Sequence, residues 1–196
     1  MTILVNGEAV TDPRRQEIIE AAFQVFMRYG YRRTTMDDIA QRVGVSRPTL
    51  YLTFPNKDAI FRAVVEAGFE RLLNEIDEGL PAQTSLTEQL LHVFEIWSVQ
   101  PFELVTSSPA ADELMTDSFG FASDIFDRSS QRLADALTRL LRAAVTEPNA
   151  LDPPAHARAQ VLLAAARGFK STARNTNDMR HLIRDLVGMT VAGLPA

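Results

Sequence analysis

The run from Thr34 to Lys57, TTMDDIAQRVGVSRPTLYLTFPNK, constrains this chain more than any other segment. Thr35-Met-Asp-Asp38 has the spacing of a capping box, with Asp38 in place of the usual Glu, so a helix is expected to open there. Ile39, Ala40 and Val43 share its inward face, and Gly44 ends it. Ser46 then caps a third helix, with Val45 and Leu50 at the two positions of a hydrophobic staple that fixes the angle of exit from the turn. Pro55 disfavours α geometry at Phe54, so the third helix must be short. Two short helices joined by a glycine turn, the second polar and basic on its outer face, have the shape of a helix-turn-helix, whose second helix enters the DNA major groove.

The flanks support that reading. Asp12-Pro13 is a helix start: a capping side chain, then a proline where its missing N–H costs nothing. Ile18, Ala22, Val25 and Tyr29 follow as one apolar stripe, widened by Ile19 and Phe26, and Gly30 sits where a glycine cap belongs. Asn56 caps a fourth helix that carries Ile60, Val64, Ala67, Phe69, Leu72, Leu73 and Ile76 and runs to about Glu78. It is long enough to leave the small reader and enter the rest of the chain. Further helices are expected near residues 85–100, 110–115, 119–145, 154–174 and 178–192, with a proline-broken loop over 147–154. Residues 1–11 read as a loose arm. No repeat or convincingly alternating strand appears, so the fold class is all-α.

Composition narrows the function. Hydrophobic residues make up 46% of the 196, enough for a real core. The absence of cysteine removes disulfides and thiolate metal sites. No signal-peptide pattern and no apolar run of the roughly 18–20 residues that span a bilayer is present, so a soluble, cytoplasmic protein is expected. Net charge is −5, yet from Arg28 to Lys57 there are six cations (Arg28, Arg32, Arg33, Arg42, Arg47, Lys57) against Asp37 and Asp38. A basic face on an acidic body suits a phosphate partner, because salt screens the distant charge. His92, His156 and His181 lack metal-ligand spacing, and no catalytic Ser/His/Asp set stands out. Neither a metal, a cofactor nor enzyme activity is expected.

Taken in order, these motifs resemble the TetR family of bacterial transcriptional regulators. The resemblance covers about Arg14 to Val64: Phe26-Met-Arg-Tyr-Gly30-Tyr31, Thr34-Thr35-Met36-Asp37-Asp38-Ile39-Ala40, Gly44-Val45-Ser46-Arg47-Pro48-Thr49-Leu50-Tyr51 and Phe54-Pro55-Asn56-Lys57-Asp58-Ala59-Ile60-Phe61. It implies a three-helix DNA-binding domain at residues 12–57 and a helical regulatory and dimerisation domain at 58–196. It implies DNA contacts from Thr34, Thr35, Ser46, Arg47, Thr49, Tyr51 and Lys57. Pro48, Leu52 and Thr53 depart from the family pattern within the same interface. Pro48 replaces a small residue, Leu52 offers a methyl contact to thymine, and Thr53 replaces a histidine. The implied function is a repressor of a palindromic operator, working as a homodimer and released by a small molecule.

The body beyond Leu80 resembles the family weakly. Its aromatics, Phe94, Trp97, Phe102, Phe119, Phe121 and Phe126, suit either a core or a mostly apolar ligand cleft. The residues expected around an apolar or aromatic effector are Phe69, Leu73, His92, Trp97, Phe102, Phe119, Phe126 and Arg167. The last two helices are expected to pair with a second copy through Leu162, Ala166, Phe169, Leu182, Ile183, Leu186 and Val187. An architectural DNA-binding dimer without an effector is the alternative. An enzyme that kept a regulatory fold would need an acid–base cluster, which the sequence does not show.

Overall fold

Capping chemistry and apolar stripes determine where each helix begins and which face it buries. The computed structural model describes residues 12–107, 120, 122–147 and 151–195, and no strand occurs among the described residues. Helix α1 (Pro13–Tyr29) is capped by Asp12, whose carboxylate accepts from the Arg14 amide. It is followed by α2 (Met36–Val43), α3 (Arg47–Thr53) and α4 (Lys57–Gly79). A 3-10 turn at Leu80–Ala82 leads to α5 (Leu86–Phe94), a segment of wider π turns at Glu95–Val99, and α6 (Gln100–Ser107). The described remainder holds α7 (Ser123–Ala143), α8 (Ala155–Phe169) and α9 (Thr176–Ala192). No described helix is long and apolar enough to cross a membrane.

Two compact units result. Among the described residues, one gathers 12–71 with 104–107, 120 and 122–127; the other gathers 72–103 with 128–147 and 151–195. The division between these units falls inside α4, between Arg71 and Leu72. The reason is that Ile60, Phe61 and Val64 of α4 complete the core built by Ile18, Ala22 and Phe26 of α1, Ile39 of α2, and Leu50 and Phe54 around α3. Phe26, Tyr31 and Phe61 form an aromatic knot, with ring centroids 4.5 to 5.8 Å apart. Tyr29, expected in the stripe of α1, is instead 48% exposed, because the inward face passes from Val25 and Phe26 to Tyr31 beyond the Gly30 corner.

In the second unit the expected helix from 85 to 100 does not stop at Pro101. It continues as α6, and the preceding turns widen so that the Gln100 amide donates to the Glu95 carbonyl, five residues back. Proline lacks an N–H and its ring crowds the carbonyl four residues earlier, and a wider turn relieves both problems without ending the helix. Arg180 of α9 clamps this segment: its guanidinium donates to both carboxylate oxygens of Glu95 at 2.7 to 3.1 Å.

Helix α8 ends at Phe169, five residues before the expected Arg174. The hydroxyl of Ser171 takes the Gly168 carbonyl at 2.8 Å, and that of Thr172 takes the Phe169 carbonyl at 3.3 Å, which diverts the chain into a turn. Asn175 then caps α9 by accepting from the Asp178 amide at 2.9 Å. Helix α7 spans Ser123–Ala143 rather than 119–145. The helix expected at 110–115 lies outside the described residues, as do Phe119 and Phe121.

The α8–α9 hairpin carries two apolar faces, not one. Leu162, Ala166, Ile183 and Val187 are buried within the chain, at 2% exposure or less, so four of the seven residues expected at a dimer seam face their own protomer. Phe169, Leu182 and Leu186 are half-buried. Val161 and Met189 are 62% and 68% exposed on the outer side, and sequence reading had singled out neither. An offset of one or two residues, each about 100° around the helix, decides the difference: 159, 162 and 166 point inward, so 161 and 168 do not.

Candidate nucleic-acid interface

The α2–α3 corner is built by local chemistry. Thr35 and Asp38 form the expected capping box: the Asp38 amide donates to the Thr35 hydroxyl oxygen at 3.2 Å, and the Thr35 amide donates to Asp38 Oδ2 at 2.8 Å. The Thr35 hydroxyl also donates to Oδ2, at 2.7 Å. These side-chain and backbone hydrogen bonds hold the Asp38 carboxyl below its ordinary range. At the other end of α2, Gly44 adopts φ +79°, and its amide and that of Val45 both reach the Ala40 carbonyl at 3.0 Å. The left-handed conformation strains any residue with a Cβ, so the turn depends on this glycine.

Ser46 opens α3. Its Oγ accepts from the Thr49 amide at 3.3 Å and lies 2.7 Å from the Thr49 hydroxyl. Proline at the second helical position removes a donor that would otherwise point out of the helix end, so Pro48 leaves this terminus with fewer amides to offer an anion. The inward side of α3 is anchored by Leu50, fully buried, and by the adjoining Phe54, with Arg15 lying 4.3 Å over the Phe54 ring. The outward side presents Ser46, Arg47, Pro48, Tyr51 and Leu52; Thr49 and Thr53 are half-buried. Leu52 is 89% exposed, an unusual setting for a leucine on a well-packed helix.

Arg47 is held in place in the absence of DNA. Its Nη1 donates to Asp37 Oδ2 at 3.2 Å, and its guanidinium carbon lies 5.6 Å from the Tyr51 ring centre. Both partners of the ion pair are exposed, at 60% and 63%, so solvent screens the pair and leaves it weak. A bidentate contact to a guanine is worth about 1–3 kcal/mol, so DNA can outbid Asp37 for this side chain.

Two expected contacts are placed otherwise. Thr34 is 2% exposed, and its hydroxyl donates to the Gly30 carbonyl at 2.7 Å, so it secures the α1–α2 corner and offers no hydroxyl to a phosphate. Lys57 is half-buried: its Nζ donates to the carbonyls of Tyr31 at 2.8 Å and Thr34 at 2.9 Å and lies 4.3 Å over the Tyr31 ring. Thr35 is exposed, but its amide and hydroxyl are committed to Asp38, whose charge opposes a phosphate there. Sequence spacing located these residues on the right elements. It could not show that the corner's own carbonyls lie within reach of Lys57.

A family model described as bacterial regulatory proteins, tetR family, matches residues 18–64, the segment that forms this corner and its core. Over these residues the chain is similar to the TetR family. The HTH-type transcriptional regulator YfiR of Bacillus subtilis is 33% identical over 107 residues, which cover 50% of this chain and 52% of that one. The transcriptional activator FasR of Mycolicibacterium smegmatis is 35% identical over 79 residues, 40% of this chain and 36% of that one. The chain thus spans about half or less of these relatives' lengths. A TetR transcription regulator from Haloarcula marismortui shares the fold at a TM-score of 0.71 and 19% identity, over 91% of this chain and 97% of that one. FadR of Bacillus subtilis, solved in complex with stearoyl-CoA, does so at 0.63 and 19%, over 92% and 99%. The matched residues take in most of α1, all of α2 and α3, and the first turns of α4.

The residues expected around an effector fall in both units. Phe69 and Phe126 stack edge to face at 5.8 Å in the first. Leu73, Trp97 and Phe102 are buried in the second, at 0%, 8% and 7% exposure. His92 sits on the last turn of α4: its Nε2 lies 3.2 Å from the Ile76 carbonyl, and the ring fills the space a Cβ on Gly79 would take. Arg167 is exposed near the end of α8. Among the described residues no group of three metal-ligating side chains occurs.

Proposed function

We propose that this protein is a homodimeric transcriptional repressor of the TetR family that leaves a palindromic operator when a small apolar or aromatic molecule binds its helical body. The observation that carries the DNA reading is the division of α3: Leu50 and Phe54 are sunk in the core while Arg47, Tyr51 and Leu52 stand outward from one short, rigid helix. Arg47 would read base edges, Leu52 a thymine methyl, and Ser46, Thr49, Tyr51 and Thr53 the flanking backbone. Dimerisation would use the outer face of α8 and α9, with Val161, Leu182, Leu186 and Met189 in the seam. The domain roles follow from the same reading, with the reader in α1–α3 and the effector and dimer functions in the helices after it.

Support for an apolar effector comes from the aromatics of the body and from the FadR relative, whose structure holds stearoyl-CoA. For release, the effector must bind the DNA-incompetent form more tightly than the competent one, and by linkage DNA must weaken the effector equally. Trp97 is the only tryptophan, so its emission reports on the body alone. Titration with acyl-CoA thioesters and aromatic compounds should change Trp97 emission and release operator DNA over one concentration range. A coupling of about 1–3 kcal/mol corresponds to roughly 5- to 150-fold in operator affinity. Operator binding that no compound alters, with Trp97 emission constant throughout, would favour the architectural dimer.

A further inference from the structure

Three groups at the start of α4 converge on the corner between α1 and α2. The Lys57 ammonium donates to the carbonyls of Tyr31 and Thr34 at 2.8 and 2.9 Å, which uses two of its three N–H groups. The Tyr31 hydroxyl donates to the Asp58 carboxylate. The Phe61 ring packs on Tyr31 with centroids 4.5 Å apart. On the corner itself, the Thr34 hydroxyl donates to the Gly30 carbonyl, and the next residue, Thr35, is the cap of α2. One side of this chain of contacts is the first turn of α4, and the other is the residue that starts the helix-turn-helix.

We propose that Lys57 is a positioning residue for DNA binding: its ammonium ties the first turn of α4 to the α1–α2 corner and so fixes the N-terminus of α2, instead of neutralising a DNA phosphate itself. The proposal rests on the DNA-binding reading above. Hydrogen bonds from a charged donor are stronger than neutral ones, and both acceptors belong to a corner whose side chains, Tyr31 and Thr34, are at most 6% exposed. The two bonds hold Nζ on the corner side, and a phosphate that drew it off the corner would cost both. With the tether in place, a displacement of the first turn of α4 is passed to Thr35 without slack, since Tyr31 and Thr34 are gripped from the same turn. Asp58 adds a second grip through the Tyr31 ring, from the opposite end of that side chain.

The test uses the full-length protein, genomic DNA fragments that the wild type retains, and random duplex DNA. Lys57→Met should raise amide hydrogen exchange over residues 31–36 in the DNA-free protein. It should lower affinity for the retained fragments by on the order of tenfold, and leave the dependence of log K on log salt unchanged. Lys57→Arg keeps the charge but replaces a compact three-donor head with a planar fork. It should restore affinity only in part, and it decides the matter even if the methionine variant does not fold. The proposal is overturned if Lys57→Met weakens both DNAs alike with a salt slope smaller by about one per contacting subunit. It is equally overturned by full rescue with arginine, or by exchange over residues 31–36 that does not change. A wild type that retains no DNA would instead sink the DNA-binding reading, while the exchange measurement would still report on the tether.

Discussion

In the proposed reading Arg47 carries the greatest functional weight of any single side chain in the corner, because it is the only long cation on the first turn of α3. Its pairing with Asp37 and its place over the Tyr51 ring hold it near the helix surface. That arrangement limits the conformational entropy lost when a base is engaged. Arg47→Ala should weaken operator binding by about 1–3 kcal/mol and relax base preference at one position in each half-site. Competition binding against a library of operator variants measures both quantities. Equal weakening across all variants, with preferences intact, would reduce Arg47 to a phosphate contact. Leu52 belongs to the same argument. At 89% exposure it gains little from the protein's own packing, which suits the proposed contact with a thymine methyl.

At the scale of elements, the capping box makes α2 sensitive to acid in a definite direction. The hydrogen bonds from Thr35 lower the folded-state pKa of Asp38 below its unfolded value. The stabilisation is therefore fully present above that unfolded value and is lost as pH falls through the lower folded one. Followed by NMR, the Asp38 carboxyl and the Thr35 amide should titrate together, below the ordinary aspartate range, and Asp38→Asn should abolish the step at Thr35. A normal aspartate titration at Asp38 would mean that the box is open in solution.

The elements also show how far the sequence could be read. Asp12, Thr35, Ser46 and Asn56 all cap where their spacing places them, because a cap is decided by residues within one helical turn. Boundaries decided by tertiary or bond-geometry compromises were not legible: the widened turns that carry α5 past Pro101, and the hydroxyl-stabilised turn that ends α8 at Phe169. The candidate site was half legible for the same reason. Pattern put Arg47, Tyr51 and Leu52 on the outside of α3. The carbonyl grip of Lys57 depends on residues more than twenty positions apart meeting across the corner, and the inward turn of Thr34 on the Gly30 carbonyl, four residues back.

For the molecule as a whole, the proposed dimer would use the two apolar faces of the α8–α9 hairpin to separate folding from assembly. Val187 is fully buried and serves the protomer's own core, whereas Leu186 and Met189 lie toward the outside. Leu186→Glu and Met189→Glu should give folded monomers that bind DNA poorly, while Val187→Glu should unfold the chain, since a buried charge without a partner costs several kcal/mol. Light scattering together with circular dichroism distinguishes the outcomes, and a dimer that persists in both outer variants would move the seam elsewhere. A second copy brings a second α3, and the geometry of paired helix-turn-helix readers then demands half-sites about one DNA turn apart, roughly 34–36 Å. The most direct measurement is to sequence and footprint the genomic fragments that the purified protein retains. A shared inverted repeat whose half-sites are protected about one turn apart, and whose protection disappears with Arg47→Ala, is the expected result. Retention of fragments without a common motif, or no retention above that of random DNA, would contradict the reading of this chain as a sequence-specific regulator.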